Sequence, residues 1–349
     1  MISRIFLYLV LYLVSAIALL VPTTAFAFHP QKTIYTFETK ISNIMTIDPP
    51  KSVRFVIPNE FQQFILSHIS GNIIKGVYLG VGSERMFMAA SQFPDLDGVV
   101  LVDNEKEVVR FNIVNLGLLL MAKDRMDFNY LKYVANFHVW LARIQEMKAT
   151  TQWDDEGFKL LESPGVYKWF EETVRSHPLH FGMPVQGSSK FSEKANYHFN
   201  ESQFWLLKRW AHQGQILVIE GDLSRPLTIS RIDQLISQNR SIVSVLDMSN
   251  AWWPSHTGIN SFVTSLQGLS KNLGPDSLLI LTHIGALDWN YYVTTFERFS
   301  QKIDFKQLGY WQVDEFVNRI MPQQAKVIST PRGDLFLLAE TYSCRGVFH

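Results

Sequence analysis

The chain has 349 residues, and its 32 basic and 32 acidic side chains give a formal net charge of zero at pH 7. This balance excludes the strongly basic surface on which sequence-independent binding of DNA or RNA depends. The hydrophobic content of 47% excludes a disordered chain, and the single cysteine, Cys344, excludes an intramolecular disulfide.

Residues 1–27 have the features of an export signal. Arg4 supplies a positive charge, residues 5–21 form an uncharged and mostly apolar run, and Ala25-Phe26-Ala27 is a small-x-small cleavage site. We expect cleavage before Phe28 and export through the inner membrane, to the periplasm or beyond the cell. The alternative is an uncleaved anchor, although the apolar run is slightly short of a span of about 20 residues. A membrane would then be contacted only through this N-terminal segment.

The next segment contains two predicted elements. Residues 28–58 include Pro49-Pro50, which breaks regular structure, and are predicted to form an N-terminal arm that wraps the domain. The spacing of Phe61, Phe64 and Ile65 places apolar side chains on one face and predicts a short amphipathic helix over residues 59–70.

The most informative pattern of the chain follows this helix. An apolar run over residues 77–79 leads into Gly80-Val81-Gly82-Ser83, a predicted helix over residues 84–92, and a second apolar run that ends in Asp103. Strand, glycine turn, helix, strand and acid form the first half of a nucleotide-binding α/β sheet. The glycines let the backbone approach a ligand, and the acid accepts hydrogen bonds from ribose hydroxyls. The alternatives are a turn without ligand and an Asp103 that caps the helix beginning near Glu105.

The second and third strands are separated by a long segment. A helix is predicted over residues 105–121, and residues 122–212 are rich in aromatic side chains and predicted to form an inserted helical cap. About 90 residues are far more than a doubly wound fold needs at this point. The predicted Rossmann-like domain therefore consists of residues 59–121 and 213–349.

The remaining pattern completes an α/β sheet. Strands are predicted over residues 216–219, 242–246 and 278–281, and helices over residues 228–238 and 259–272. A closing β-hairpin is predicted over residues 326–329 and 335–339. Alternating strands and helices predict an α/β fold with a doubly wound, mostly parallel sheet and a C-terminal β-hairpin.

Polar residues follow four of the five predicted parallel strands, namely Asp103, Asp222, Asp247 and His283. Ligands of open α/β sheets bind outside the carboxyl ends of the strands, so these residues predict a site at one edge. Loop chemistry or helix capping could explain each of them singly. No zinc-type Cys/His spacing, phosphate-loop signature or His-Glu-x-x-His motif is present, so no metal site is predicted.

The turn and the order of motifs resemble class I methyltransferases, which bind S-adenosylmethionine (SAM), and in particular an uncharacterised bacterial family of methyltransferase-like Rossmann proteins. The matching residues are Tyr78-Leu79-Gly80-Val81-Gly82, Asp103, Gly221-Asp222, Ser249-Asn250 and Pro58-Asn59-Glu60. The usual methyltransferase turn is acid-x-Gly-x-Gly-x-Gly, whereas here Tyr78 replaces the acid and Glu84 the third glycine. Arg85 stands where a dinucleotide fingerprint wants a small residue, which disfavours NAD and FAD.

The resemblance implies SAM as the cofactor and a sheet of the class I methyltransferase type. The cofactor-binding residues that it implies are Tyr78, Gly80, Gly82, Ser83, Asp103 and Asp222. The glycines and Ser83 would line the methionine and ribose side, and Asp103 would bind the ribose hydroxyls. Asp222 would meet the adenine amino group, with a plain turn residue as the alternative.

The resemblance also implies an acceptor side. Asp247 and Asn250 lie where methyltransferases orient the acceptor, and Asp247 or His283 could remove its proton. The segment from Asn250 keeps the amide and aromatic residues of amine-directed members but lacks their Pro-Pro, and Trp252 and Trp253 are expected to pack. The prediction is an exported SAM-dependent methyltransferase with an unknown acceptor, either a small molecule or a protein. The alternative is an inactive domain that binds a nucleotide or a protein.

Overall fold

A computed structural model of the chain describes residues 30–37, 56–58, 63–69, 75–184, 196–252, 266–284, 289–302, 310–329 and 334–338, together with Phe28, Ile44, Glu60 and Lys194. The predicted export signal lies outside these residues, as do most of the N-terminal arm, Trp253 and the first part of the helix predicted over 259–272. Within the described ranges, no helix is both long and apolar enough to span a membrane.

The fold is mixed α/β and is built on a mostly parallel sheet. The strands of the described part of the chain are β1 (Ile34–Thr36), β2 (Val77–Val81), β3 (Gly98–Asp103), β4 (Ile216–Glu220), β5 (Val243–Ser249), β6 (Leu273–Ile284), β7 (Trp289–Thr295), β8 (Lys326–Ser329) and β9 (Asp334–Leu338). They are ordered β1-β4-β3-β2-β5-β6-β7-β9-β8. The five parallel strands predicted from the sequence, β2 to β6, all form. Their order β4-β3-β2-β5-β6 is that of a doubly wound sheet. From β2, the chain adds strands first on one side (β3, β4) and then on the other (β5, β6), so the strand order reverses between β2 and β5.

The central strands are buried on both faces, which explains their continuous apolar sequences. Alternate residues of β3 belong to different cores: Val99 and Leu101 pack in one cluster, and Val100 and Val102 pack in the other. This is the two-residue periodicity of a strand with helices on both sides. Each face of the sheet is therefore covered by its own set of helices.

The α-helices with described ends are α1 (Glu84–Ala90), α2 (Lys106–Met121), α3 (Arg125–Tyr133), α4 (Phe137–Thr150), α5 (Asp155–Leu161), α6 (Pro164–Phe170), α7 (Glu201–His212), α8 (Pro226–Gln238), α9 (Phe296–Lys302), α10 (Tyr310–Glu315) and α11 (Met321–Gln324). Residues 266–269, in the described part of the helix predicted over 259–272, are also helical. Shorter 3-10 and π segments are Gln63–His68, Glu171–Arg175, Pro178–Phe181, Ser270–Asn272 and Phe316–Ile320. Helices α1 to α7 pack on the face of the sheet that carries Val99 and Leu101, and helices α8 to α11 pack on the face that carries Val100 and Val102.

The described residues between β3 and β4, which are 104–184, Lys194 and 196–215, are mostly helical, as predicted. Helices α3 to α7 share one hydrophobic core with the sheet, because Phe128, Trp140 and Phe204 cluster with Tyr78 and Leu101. Asp124 caps α3 by accepting a hydrogen bond from the Asp127 N–H at 2.8 Å, an arrangement that satisfies an otherwise unpaired helix donor. The insertion thus covers one face of the sheet directly.

The structure adds two strands that the sequence did not predict. The predicted hairpin forms as β8 and β9, but β7 lies between it and β6 and pairs antiparallel with β6. Strand β1, in the predicted arm, pairs parallel with β4. The sheet is therefore wider than expected on both sides of its doubly wound centre.

Several element boundaries also differ from the prediction. Strand β5 continues to Ser249, so Asp247 lies inside the strand and not after it. Strand β6 spans Leu273–Ile284, so His283 also lies inside a strand and not after it. The helix predicted over residues 59–70 is a 3-10 helix over Gln63–His68. The first difference matters for the site, because it places Asp247 beside Gly80 of β2 in the parallel register.

Candidate functional site

Two of the predicted cofactor residues, Gly82 and Asp103, lie side by side at the carboxyl edge of the sheet. Val81 of β2 pairs with Val102 of β3, so Gly82 and Asp103 are the next residues along two neighbouring parallel strands. Neighbouring strands lie about 4.8 Å apart. The glycine turn and the strand-end acid therefore occupy one small region beside the point where the strand order reverses.

The two glycines of the turn have different physical requirements. Gly82 has φ +125°, a conformation that side chains other than glycine rarely adopt, and its carbonyl accepts a hydrogen bond from Asn112 Nδ2 at 2.9 Å. A Cβ at Gly80 would collide with Met86 and Tyr78. Gly80 is thus required by the packing of the protein itself, and Gly82 by its backbone conformation.

Asp103 is a buried carboxyl group at the end of β3. Its Oδ1 accepts a hydrogen bond from the Glu105 backbone N–H at 2.9 Å, in the turn that leads into α2. This contact resembles the helix-capping role that is the alternative prediction for Asp103. Burial raises the pKa of the Asp103 carboxyl to about 7, against the lowering effect of this hydrogen bond. Near neutral pH, additional hydrogen-bond donors would shift this group towards its ionised form.

Two other predicted cofactor residues are occupied by contacts within the protein. The Ser83 hydroxyl, which is buried, donates to the Val56 carbonyl at 2.6 Å. Asp222 accepts a hydrogen bond from the Ser224 N–H at 2.7 Å and lies 3.5 Å from Arg225 Nε, as a turn residue before α8 does. The adenine role of Asp222 stays a prediction.

Asp247 lies in a buried polar network and not at an open strand end. Its Oδ1 accepts hydrogen bonds from Arg85 Nη2 at 3.1 Å and from the Ser249 N–H at 2.9 Å. Its Oδ2 accepts from the Tyr78 hydroxyl and lies 3.1 Å from Arg85 Nη1. Both carboxylate oxygens of Asp247 are therefore engaged in contacts within the protein, and the Tyr78 hydroxyl is one of their partners.

The same arginine binds a second carboxylate, that of Glu60. Arg85 Nε forms an ion pair with Glu60, whose Oε1 accepts hydrogen bonds from the Ser249 hydroxyl and from Thr282 Oγ1, the latter at 2.9 Å. We call this set the Arg85 network; it comprises Glu60, Tyr78, Arg85, Asp247, Ser249 and Thr282. The sequence patterns do not predict this network, because they identify Arg85 only as a residue too large for a dinucleotide fingerprint.

The network contains two carboxylates and one cation. Burial raises the pKa of Glu60, and the positive charge of Arg85 only partly offsets this effect. Although burial opposes it, the carboxylates of Asp247 and Glu60 raise the pKa of Arg85. The guanidinium is therefore permanently charged, and Glu60 is the carboxylate that the buried environment disfavours in its ionised form.

Asn250 and His283, the other two predicted catalytic residues, are only partly buried. Asn250 follows Ser249, which has φ +51°, and its Oδ1 lies 3.4 Å from the Ser249 hydroxyl. The His283 ring lies 6.1 Å from that of Trp252, which is buried and donates from Nε1 to the Thr282 carbonyl at 3.0 Å. Trp252 thus packs, as expected, and orders the segment that carries Asn250.

Glu84, which stands at the position of the third glycine, is the centre of a second buried network. It accepts hydrogen bonds from Lys132 Nζ and from the Tyr197 hydroxyl, both at 2.6 Å, and its Oε1 lies 2.8 Å from His198 Nε2. Lys132 also donates to Asn115 at 3.0 Å. We call these five residues the Glu84 network; it joins α1 to the insertion.

The charges of the Glu84 network depend on one another. Burial lowers the pKa of Lys132 to about 8 and that of His198 to about 4. Although burial opposes it, Lys132 and His198 lower the pKa of Glu84. At neutral pH the network therefore contains a carboxylate paired with an ammonium group, beside a neutral imidazole.

Comparisons with known proteins identify the family of the chain. A family model described as "Domain of unknown function (DUF7790)" matches residues 55–330. The chain belongs to this family. Among solved structures, an rRNA methyltransferase, aviRa from Streptomyces viridochromogenes, is similar over 72% of this chain and 81% of its own, with 11% identity and a TM-score of 0.29. No curated protein matches the chain.

The DUF7790 match includes both networks and the glycine turn, but it assigns no chemistry to them. Across the ranges that the structure describes, no group of three or more His, Cys, Asp or Glu side chains could hold a metal ion. Among the described residues, the predicted site residues that lie outside the two networks are Gly80, Gly82, Ser83, Asp103, Asp222, Asn250 and His283.

The Arg85 network makes a prediction about stability. Arg85→Met should lower the free energy of unfolding by about 3–5 kcal/mol, because Glu60 and Asp247 would stay buried without a cation. Chemical denaturation at pH 7 measures this loss. The matched control is Arg319→Met, which removes an exposed ion pair with Glu315 and should cost less than about 1 kcal/mol. Equal losses for the two variants would contradict an ionised buried network.

Proposed function

We propose that the chain is an exported SAM-dependent methyltransferase with an acceptor that is a small molecule or a protein. The observation that carries this proposal is the parallel register of β2 and β3, which sets the positive-φ Gly82 beside the buried Asp103. A glycine turn beside a strand-end acid, at the reversal point of a doubly wound sheet, suits a ligand that contains a ribose.

The chemistry of the residues fits such a cofactor. Gly82 has no side chain, so a ligand can approach the protein backbone closely at this position. The Asp103 carboxylate would accept hydrogen bonds from the two ribose hydroxyls. Bound SAM would supply an activated methyl group on a sulfonium ion. The protein would then need to hold the acceptor nucleophile in line with that methyl group, and positioning of this kind can contribute most of the rate.

On the acceptor side, the proposal assigns different roles to the three predicted residues. Asp247 has both carboxylate oxygens occupied, so it would act by holding Arg85 and Tyr78 in place. Asn250 would orient the acceptor through its amide. His283, which is partly exposed, would take the proton that the acceptor loses as the new bond to carbon forms.

A second candidate function is a methyltransferase-like domain that has lost catalysis and binds a nucleotide or a protein. The observation that favours it is that four side chains around the turn, those of Tyr78, Ser83, Glu84 and Arg85, are all bound within the protein. Incubation with SAM and acceptor mixtures separates the two functions. Acceptor-dependent formation of S-adenosylhomocysteine supports the enzyme, whereas cofactor binding without turnover supports the inactive domain.

The cofactor assignment predicts that Asp103→Ala weakens SAM binding. Loss of charge-assisted hydrogen bonds worth about 1.5–3 kcal/mol should raise the Kd about 10- to 150-fold. Calorimetric titration of the folded variant measures this change, and Asp276→Ala, an exposed acid on β6, is the control. Since the pKa of Asp103 is about 7, the affinity of the unaltered chain should also rise about tenfold from pH 6 to pH 8, as the carboxyl ionises.

Two results would remove this assignment. An unchanged Kd for a folded Asp103→Ala variant would show that the acid does not meet the ribose. Failure of the unaltered chain to bind SAM at any pH in this range would remove the proposed function altogether.

Export is proposed from the sequence features of residues 1–27, with an uncleaved anchor as the alternative. Cleavage after Ala27 predicts a chain that begins at Phe28. The intact mass of the protein isolated from its native cell tests this directly. A mass that includes residues 1–27 would contradict cleavage and support the anchor.

A further inference from the structure

Asn112 of α2 is a buried amide that the protein uses at only one end. Its Nδ2 donates to the Gly82 carbonyl at 2.9 Å, and the residue is 1% exposed. Among the described residues, no group donates a hydrogen bond to Asn112 Oδ1. A buried polar atom without a partner is destabilising and rare in folded proteins. The protein therefore keeps an unpaired acceptor next to its glycine turn.

The orientation of this amide follows from its contact with the turn. If the amide were flipped, Oδ1 would face the Gly82 carbonyl, and two acceptors would meet without a proton between them. Asn115, one turn further along α2, is different at both ends. Its Nδ2 donates to the Tyr197 hydroxyl and its Oδ1 accepts from Lys132 Nζ, both at 3.0 Å. The protein thus satisfies the second amide fully and the first by half.

Asn112 belongs to the same region as the proposed ribose site. Helix α2 begins at Lys106, shortly after Asp103 at the end of β3, and the contact with Gly82 joins this helix to the turn after β2. The turn also has space on one side. Among the described residues, a Cβ at Gly82 would meet only carbon atoms of Met86, at 3.8 Å. Asn112 therefore lies next to the path of a ligand held by Asp103 and the turn.

The two oxygens at this point favour a hydrogen-bond donor. Asn112 Oδ1 can only accept, and the Gly82 carbonyl has a second lone pair besides the one that Asn112 uses. An ammonium group has three donors and no acceptor, and its charge strengthens each hydrogen bond that it donates. A phosphate group has acceptor oxygens and a negative charge, so both protein oxygens would repel it. This pair therefore suits a nucleoside with an ammonium group and not a nucleotide phosphate.

We propose that Asn112 binds the α-ammonium group of the ligand's amino-acid part through Oδ1, while Nδ2 holds the Gly82 carbonyl in place. This role rests on the proposed function, in which the amino-acid part of SAM lies beside the glycine turn. Asn112 selects nucleosides that carry an ammonium group and discriminates against those that lack it. The predicted site residues do not include this side chain of α2.

Two ligands that differ only in the ammonium group test this role by calorimetric titration. S-adenosylhomocysteine carries the group, and its desamino analogue has hydrogen in that place. The unaltered chain should bind S-adenosylhomocysteine about tenfold or more tightly than the analogue, because the analogue lacks one charge-assisted hydrogen bond. Asn112→Leu, which is similar in volume but has no amide, should lower this preference about tenfold. The control is Asn318→Leu, which removes an exposed amide bound to Asp314 and should leave the preference unchanged.

A purely structural role for Asn112 predicts a different result. Loss of its bond to Gly82 would then weaken both ligands by the same factor, and an unchanged ratio of the two Kd values in a folded Asn112→Leu variant would overturn the proposal. Asn112→Asp is a second variant, which keeps an acceptor for the ammonium group but, when ionised, cannot donate to Gly82. Its preference for S-adenosylhomocysteine should persist even if both affinities fall, and loss of that preference would contradict the role of Oδ1. Thermal unfolding monitored by circular dichroism checks that each variant is folded.

The unaltered chain carries the test if Asn112→Leu does not fold. Equal affinity for the two ligands, or tighter binding of adenosine 5′-monophosphate than of S-adenosylhomocysteine, would overturn the role of Asn112. Binding of S-adenosylhomocysteine with no preference over its analogue would leave the proposed function standing without this role. Binding of neither ligand at saturating concentration would remove the proposed function and this role together.

Discussion

Two adjacent charged residues at the start of α1, both fully buried, fix the parts of this protein around its glycine turn. Glu84 binds Lys132, Tyr197 and His198 and so attaches the helical insertion. Arg85 binds Asp247 and Glu60 and so joins α1 to β5 and to the residue that precedes the first 3-10 segment of the described chain. A buried charge that loses its partner is strongly destabilising. The insertion, Glu60 and the sheet are consequently held in one arrangement by a single turn of helix.

This arrangement explains the departures from the methyltransferase pattern. Glu84 stands at the position of the third glycine of that pattern, and its carboxylate accepts a hydrogen bond from Lys132 of the insertion. Tyr78 replaces an acid, and its hydroxyl donates to Asp247 on the neighbouring strand. Glu84 and Tyr78 therefore form structural contacts while the glycine turn is still present. Gly82 has a positive φ, and Asp103 lies beside it on the neighbouring strand.

Local sequence patterns predicted the strands β2 to β6, the helical character of the described residues within 122–212 and the terminal hairpin, because apolar periodicity reports burial within one element. They did not predict β7. This strand is the next element after β6 in the described chain and pairs antiparallel with it, whereas the alternation of strands and helices predicts a helix at this point. The networks could not be predicted in this way, since Glu60 and Thr282 are 222 residues apart in sequence. The one available signal was a charged pair, Glu84-Arg85, opening a helix whose other residues are all apolar and buried.

The central claim is that the carboxyl edge beside Gly82 and Asp103 binds SAM. A crystal structure of the complex with S-adenosylhomocysteine tests it most directly. The account predicts electron density at this edge, with the ribose hydroxyls within hydrogen-bond distance of the Asp103 carboxylate and the methionine part beside Gly82. Ligand density at another place on the protein, or none at this edge under saturating ligand, would contradict it.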